Sequence, residues 1–183
     1  MYSKNQMLVL ALFFAHPGEE FYLSQIGEIL GKRPGYFQRG INALESEGIL
    51  QSRKRGNQRV FAVDENYPLL SEVRSIVGKT IGVEGTLRDF AATVQGIDIA
   101  LIYGSYAKNA LKPNSDIDLL LVASEEDIEE AVITRLTEIE KKIQREVNYT
   151  MYSADEFSAM RSAHDPFIEE VLGGPFILLR GKL

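Results

Sequence analysis

At 183 residues, 45% hydrophobic and with a formal net charge of −6, the chain has material for one medium domain and one small one, with no membrane segment, low-complexity run or repeat. It contains no cysteine, which excludes disulfides and zinc fingers, and its acidic balance argues against a general nucleic-acid coat. With no export signal, the expected compartment is the cytoplasm.

Residues 7–15 (MLVLALFFA) follow Lys4 as the apolar part of a leader would. His16-Pro17-Gly18 comes next, however, without a small-residue cleavage site, and so short a run cannot span a bilayer. The stretch therefore predicts a buried first helix stopped by Pro17-Gly18. Residues 21–23 read as a short extended piece, and residues 24–30 as a helix capped by Ser24 and stopped by Gly31. Pro34 suits the first turn of the next helix, because its missing N–H would have no partner there anyway. In that helix Phe37, Ile41 and Leu44 recur at helical spacing and point inward, leaving Tyr36, Gln38, Arg39 and Asn42 outward, and Gly48 ends it. Residues 49–52 and 59–63 predict two strands of a hairpin around residues 53–58, with Gly56-Asn57 as the turn signal.

Helix, helix, turn, helix and basic hairpin over residues 1–66 resembles the winged helix-turn-helix family of DNA-binding regulators. The resemblance implies double-stranded DNA as a partner, with the third helix in the major groove and the wing on backbone phosphate. Its contact residues would be Lys32, Arg33, Tyr36, Gln38 and Arg39, with Arg53, Lys54, Arg55, Asn57 and Arg59 on the wing. Many such regulators form a homodimer. Residues 1–66 hold 8 Lys+Arg against 7 Asp+Glu, whereas residues 67–183 hold 12 against 19, and only Lys4 of the eight lies outside the cluster from Lys32 to Arg59. Clustered bases on turn, helix and wing make the footprint a duplex requires, although a charged hairpin also serves as a merely solvated surface.

Tyr67-Pro68 breaks the last of these strands. Residues 69–80 read as an amphipathic connecting helix with Leu70, Val73 and Ile76 or Val77 on one side, and residues 84–94 as a helix with Leu87 and Phe90 inward. The expected organisation is 1–66, a connector at 67–80, and a second domain at 81–183.

Residues 97–103 (IDIALIY) predict a buried strand that turns at Gly104-Ser105 into a short helix. Glycine there lets backbone approach a phosphate, Ser105 as an N-cap offers a hydroxyl beside free N–H groups, and Lys108 adds positive charge. After the breaker cluster Lys112-Pro113-Asn114-Ser115, with Ser115 as a further candidate for nucleotide contact, residues 116–123 (DIDLLLVA) read as a strand. Its alternation puts Asp116 and Asp118 on one face and Ile117 and Leu119 in the core. Two carboxylates at the leading end of so apolar a strand cost stability unless a cation or other partner balances them, and the pattern predicts Mg²⁺ or Mn²⁺ together with a nucleoside triphosphate. Gly-Ser or Asp-x-Asp alone is common; the ordered set of strand, Gly-Ser, short helix, breaker and Asp-x-Asp strand carries the signal.

Gly104, Ser105, Asp116 and Asp118 in this order resemble the signature of the polymerase-β-like nucleotidyltransferases, especially the minimal ones, over residues 80–183. The resemblance implies a mixed sheet flanked by helices, hence an α+β chain overall. It also implies triphosphate at the Gly-Ser turn, Mg²⁺ on the aspartates, and transfer of a nucleoside monophosphate to a protein or nucleic-acid hydroxyl. Family members use a third carboxylate from a later strand. Here the candidate strand is residues 146–152 (EVNYTMY), after a charged helix at 125–145, and the matching position is Asn148, an amide. Glu146, two residues away on the same face, is the candidate substitute in catalysis. Loss of the acid bears on catalysis more than on nucleotide binding. The alternative is thus a transcriptional regulator whose degenerate enzyme domain senses nucleotide. A third reading, from the resemblance alone, is an antitoxin that neutralises a toxin-like ribonuclease partner.

The remaining signals are plainer. His16 and His164 lie far apart, which gives no basis for a histidine metal site or triad. Glu125-Glu126-Asp127 with Glu129-Glu130 reads as a solvated helix start. Residues 153–162 predict a capped helix packed through Phe157 and Met160, and residues 176–179 a closing strand. Tyr106 serves either as a stacking surface for a base or as a packed aromatic.

Overall fold

The computed structural model describes residues 2–112, 115–124 and 127–183. The chain divides into two units, Met1–Gly85 with Lys142–Gln144 and Thr86–Lys141 with Arg145–Leu183.

In the first unit, helix α1 (Lys4–Ala15) begins at Ser3, whose hydroxyl accepts from the Gln6 N–H while the Gln6 side chain accepts from the Ser3 N–H. Its apolar run buries Val9, Leu10, Leu12 and Phe13. Strand β1 (Phe21–Tyr22) leads into α2 (Leu23–Ile29), then α3 (Gly35–Ser46), the hairpin β2 (Leu50–Arg55) and β3 (Gln58–Val63), and α4 (Leu70–Thr80). The strands form an antiparallel sheet in the order β1-β3-β2. Phe37, Ile41 and Leu44 of α3 are wholly buried, as their spacing predicts, and pack with Phe13, Ile26 and Phe61. Gly48 takes φ 83° just past the end of α3, a conformation that only glycine adopts freely.

Three expectations change here. Ser24 does not cap α2: the cap is Tyr22, whose N–H donates to Gln25 Oε1 at 2.8 Å. The hairpin strands are longer than predicted, because Arg55 pairs with Gln58 directly across the two-residue Gly56-Asn57 turn, and charged side chains pay no burial penalty on an exposed ladder. Helix α4 is not merely a connector, since Val73 and Val77 belong to the same core as Phe13 and Phe37. Ile76, by contrast, stays exposed.

The second unit begins at Thr86 within α5 (Val83–Thr93) and holds β4 (Ile97–Tyr103), the one-turn α6 (Gly104–Ala107), β5 (Ile117–Ala123), α7 (Glu129–Ile143) apart from Lys142 and Ile143, β6 (Val147–Ser153), α8 (Ala154–Ser162), α9 (Pro166–Gly173) and β7 (Ile177–Arg180). Its sheet runs β6-β5-β4-β7, parallel between β5 and β6 and antiparallel elsewhere, a mixed sheet with flanking helices that fits a nucleotidyltransferase fold. The parallel pair is the one joined through a helix, α7, because parallel neighbours need a crossover. Leu101, Leu120 and Val122 face Phe157 of α8 and Ile168 and Val171 of α9. On the other face of β5, Ile117, Leu119 and Leu121 are wholly buried. Arg88 of α5 donates to the Leu178 and Leu179 carbonyls, and Arg180 of β7 donates back to the Ala91 carbonyl.

Helix α9 is absent from the sequence expectations, although its start is written in the chain. Asp165 caps it by accepting from the Phe167 and Ile168 N–H groups, and Pro166 occupies its first turn. Asp116 stands one residue before β5, and Glu146 one residue before β6. Helix α7 begins at Glu129, so the acidic run reaches it only through Glu129 and Glu130; Glu125 and Glu126 of that run, and Pro113 and Asn114 of the breaker cluster, lie outside the described residues. Among the described residues no helix is long and apolar enough to cross a membrane.

Candidate functional site

The site grows from the place where β4 gives way to α6. Tyr103 ends the strand and caps the helix, Gly104 takes φ 68°, and Ser105 is the second helical residue. Ser105 is therefore not the N-cap that its position suggests. Gly104 is the tightest point of the site: a Cβ there would lie 2.1 Å from Asp118 Oδ2. Any side chain at 104 would both strain the backbone and displace that carboxylate.

Register gathers the other groups. Asp118 pairs with Tyr103 across the antiparallel ladder and with Asn148 across the parallel one. Asn148 Nδ2 donates to Asp116 Oδ2 at 3.0 Å, so the amide does sit at the aspartate pair. Glu146 lies at the approach to β6, where its carbonyl accepts from the Ile117 N–H at 3.0 Å and its side chain is exposed. Among the described residues no third acidic or histidine side chain joins the two aspartates in a cluster able to hold a metal. Ser115 is spent on its own turn, accepting from the Lys112 N–H at 3.1 Å, while its carbonyl accepts from the Arg145 guanidinium. Lys108 caps the far end of α6 and is exposed.

Burial pushes the Asp118 carboxyl above the ordinary carboxylate range, and repulsion from Asp116 adds to the rise. Burial likewise raises Tyr103, against a hydrogen bond with Thr150, and its ring meets Phe167 edge-on at 5.7 Å. Tyr103 and Thr150 are site neighbours that the sequence alone does not single out, because Tyr103 meets Asp118 across β4–β5 and Thr150 reaches Tyr103 from β6, pairings that join separate segments. The donor set suits a hard divalent cation: two carboxylate groups crowd together, no ion pair balances them among the described residues, and Gly104 puts no side chain in the place of the Asp118 carboxylate.

In the first unit the expected DNA-contacting residues separate into two sets. Lys32, Arg33, Arg39 and Lys54 are exposed, with no ion pair among the described residues, and Asn57 stands at the hairpin tip. Tyr36 is 53% exposed, and Gln38 Nε2 donates to Asn42 Oδ1 at 2.9 Å on the same helix. The hairpin arginines, by contrast, are engaged. Arg53 grips Glu20 through two bonds, Nε to Oε1 at 2.8 Å and Nη2 to Oε2 at 2.6 Å, and Arg55 reaches Oε2 at 2.9 Å. Arg59 bonds both oxygens of Glu45 and the Ser52 hydroxyl, and lies over the Phe61 ring at 5.0 Å. Hydrogen bonds from Arg53 hold the Glu20 carboxyl below the usual range, and those from Arg59 and Ser52 do the same for Glu45. Strand alternation also splits the hairpin: Arg53 and Arg55 share one face, while Lys54 points to the other with Arg59, its partner across the ladder.

The family model for polymerase beta, nucleotidyltransferase, matches residues 86–177, half of the chain. A solved toxin–antitoxin complex with AMP-PNP is 17% identical, with 54% of this chain and 73% of that chain covered and a TM-score of 0.41. A mutant of the toxin–antitoxin pair MntA–HpeT is 15% identical, covering 55% and 74%, at 0.40. A mutant of ZitR from Lactococcus lactis is 17% identical, covering 49% and 60%, at 0.37. Scores this low leave the activities of those proteins without bearing on this one. No curated protein matches the chain.

Proposed function

The chain belongs to the polymerase-β nucleotidyltransferase family through residues 86–177, and from that premise we propose that its second unit binds a nucleoside triphosphate with Mg²⁺ or Mn²⁺ and transfers the nucleoside monophosphate to a protein or nucleic-acid hydroxyl. The observation that carries this reading is the contact of Gly104 with Asp118: a left-handed glycine leaves open the space that a side chain would take from the carboxylate. Asp116 and Asp118 would hold the cation, which supplies charge neutralisation on the phosphates. Gly104 and Ser105 would seat the phosphates by close backbone approach, with Lys108 as an added positive charge at the rim. Asn148 orients the Asp116 carboxylate by its hydrogen bond.

The first unit we read as a winged helix-turn-helix that holds double-stranded DNA. Support comes from the order of α1, β1, α2, α3 and the hairpin, and from the exposed bases Lys32, Arg33, Arg39 and Lys54 around α3 and the wing. The two units together make a DNA-bound nucleotidyltransferase.

A second reading is favoured by Asn148. An amide accepts no proton from an attacking hydroxyl, so a site with two acids and an amide suits a regulator that senses nucleotide without turnover. One experiment separates them. Each α-labelled triphosphate is incubated with Mg²⁺ in native lysate beside the Asp116→Ala/Asp118→Ala variant. Label passing to an acceptor with the native chain alone establishes transfer; nucleotide retained without any labelled product leaves the sensor, and no retention at all removes both.

A further inference from the structure

The hairpin carries an oxyanion already bound. Glu20, at the entry to β1, lies between two guanidiniums of β2: Arg53 holds its carboxylate in a two-point fork and Arg55 closes on the second oxygen. A fork of this kind matches phosphate as well as carboxylate. All three side chains remain open to solvent, at 57% for Arg53, 53% for Arg55 and 27% for Glu20. Exposed ion pairs are weak and salt-screened, so an incoming polyanion exchanges with the carboxylate at small cost. By comparison, Glu45 and Arg59 form a set tied further by Ser52 and by the Phe61 ring, which suits a fixed support.

We propose that Arg53 and Arg55 are a clamp for backbone phosphates of duplex DNA, and that Glu20 is its built-in competitor, released when the duplex arrives. The proposal rests on the reading of the first unit as DNA-binding. It assigns Glu20 a role as a brake on affinity that acts without touching the bases, so its effect is the same for every sequence.

The test is duplex binding by the full chain, followed by fluorescence anisotropy on a mixed-sequence duplex over a range of salt. Glu20→Gln binds several-fold tighter than the native chain at fixed salt. Arg53→Ala/Arg55→Ala lowers the slope of log K against log salt by about two, at about 0.9 for each phosphate that is no longer neutralised. Adding Glu20→Gln to that double variant brings no gain, because the competitor then has nothing to release. If Glu20→Gln is folded by its thermal melt yet binds no tighter, or if the double arginine variant keeps the native slope, the clamp is wrong while the DNA reading stands. Should Glu20→Gln fail to fold, the slope of the arginine variant decides alone. Absence of any duplex binding at the lowest salt, by the native chain and by Glu20→Gln alike, overturns the clamp and the DNA reading together.

Discussion

The two units handle charge in opposite ways. In the first, acidic and basic side chains from distant segments find each other: Glu20 with Arg53 and Arg55, and Glu45 with Arg59. In the second, Asp116 and Asp118 are brought side by side with the Asn148 amide bonded to Asp116, and burial raises the Asp118 carboxyl. Opposite charges at a surface stabilise slightly and need no ligand. Like charges gathered at a partly buried rim destabilise the free protein, a cost that a bound cation would offset.

Three substitutions probe that contrast. The largest effect is expected at Gly104→Val. The left-handed backbone alone costs on the order of 1–3 kcal/mol for a residue other than glycine. The added atoms also collide with Asp118, so triphosphate binding with Mg²⁺, measured by calorimetry, falls by about 100-fold or more, the scale of losing several kcal/mol of binding. Ordinary affinity in this variant would mean that the Gly104–Asp118 contact is not part of the nucleotide site.

Asn148→Asp comes next. It removes the donor to Asp116 and adds a third negative group, so melting without divalent ion drops, and Mg²⁺ restores more stability than it does in the native chain. If the amide is what limits transfer, labelled product rises by about 10² or more, within the usual contribution of a positioned base. Equal response to Mg²⁺ in both chains would separate Asn148 from the cation site.

The smallest effect belongs to the first unit. Arg59 and Ser52 keep the folded-state pKa of Glu45 below its unfolded value, so the contribution is present above the ordinary carboxylate range and is lost as pH falls through the folded pKa. Glu45→Gln costs less than about 1 kcal/mol at neutral pH, as expected for an exposed pair. That difference from the native chain shrinks in acid, and melting curves at neutral and acidic pH check it.

Much of the fold is legible along the chain because its signals are local. Spacing of Phe37, Ile41 and Leu44 marks the buried face of α3, Gly56-Asn57 marks the hairpin turn, and IDIALIY marks β4 to the residue. The nucleotidyltransferase signature is legible for the same reason: Gly104, Ser105, Asp116 and Asp118 lie within one strand-turn-strand passage. Helix α9 is open to the same reasoning through Asp165-Pro166, a cap and first-turn pair hidden behind the closing Gly173-Gly174-Pro175.

Local chemistry therefore determined the elements, the turn at Gly104 and the residue types of the aspartate pair, since helix periodicity, strand alternation and glycine's freedom act over a few residues. Tertiary structure alone decided that Asn148 meets Asp116, that α4 joins the first core, and that Glu20 occupies the hairpin arginines across 33 and 35 positions of sequence. Each of those contacts is made only when strands and helices from separate stretches pair in register, and no pattern within either stretch encodes its partner.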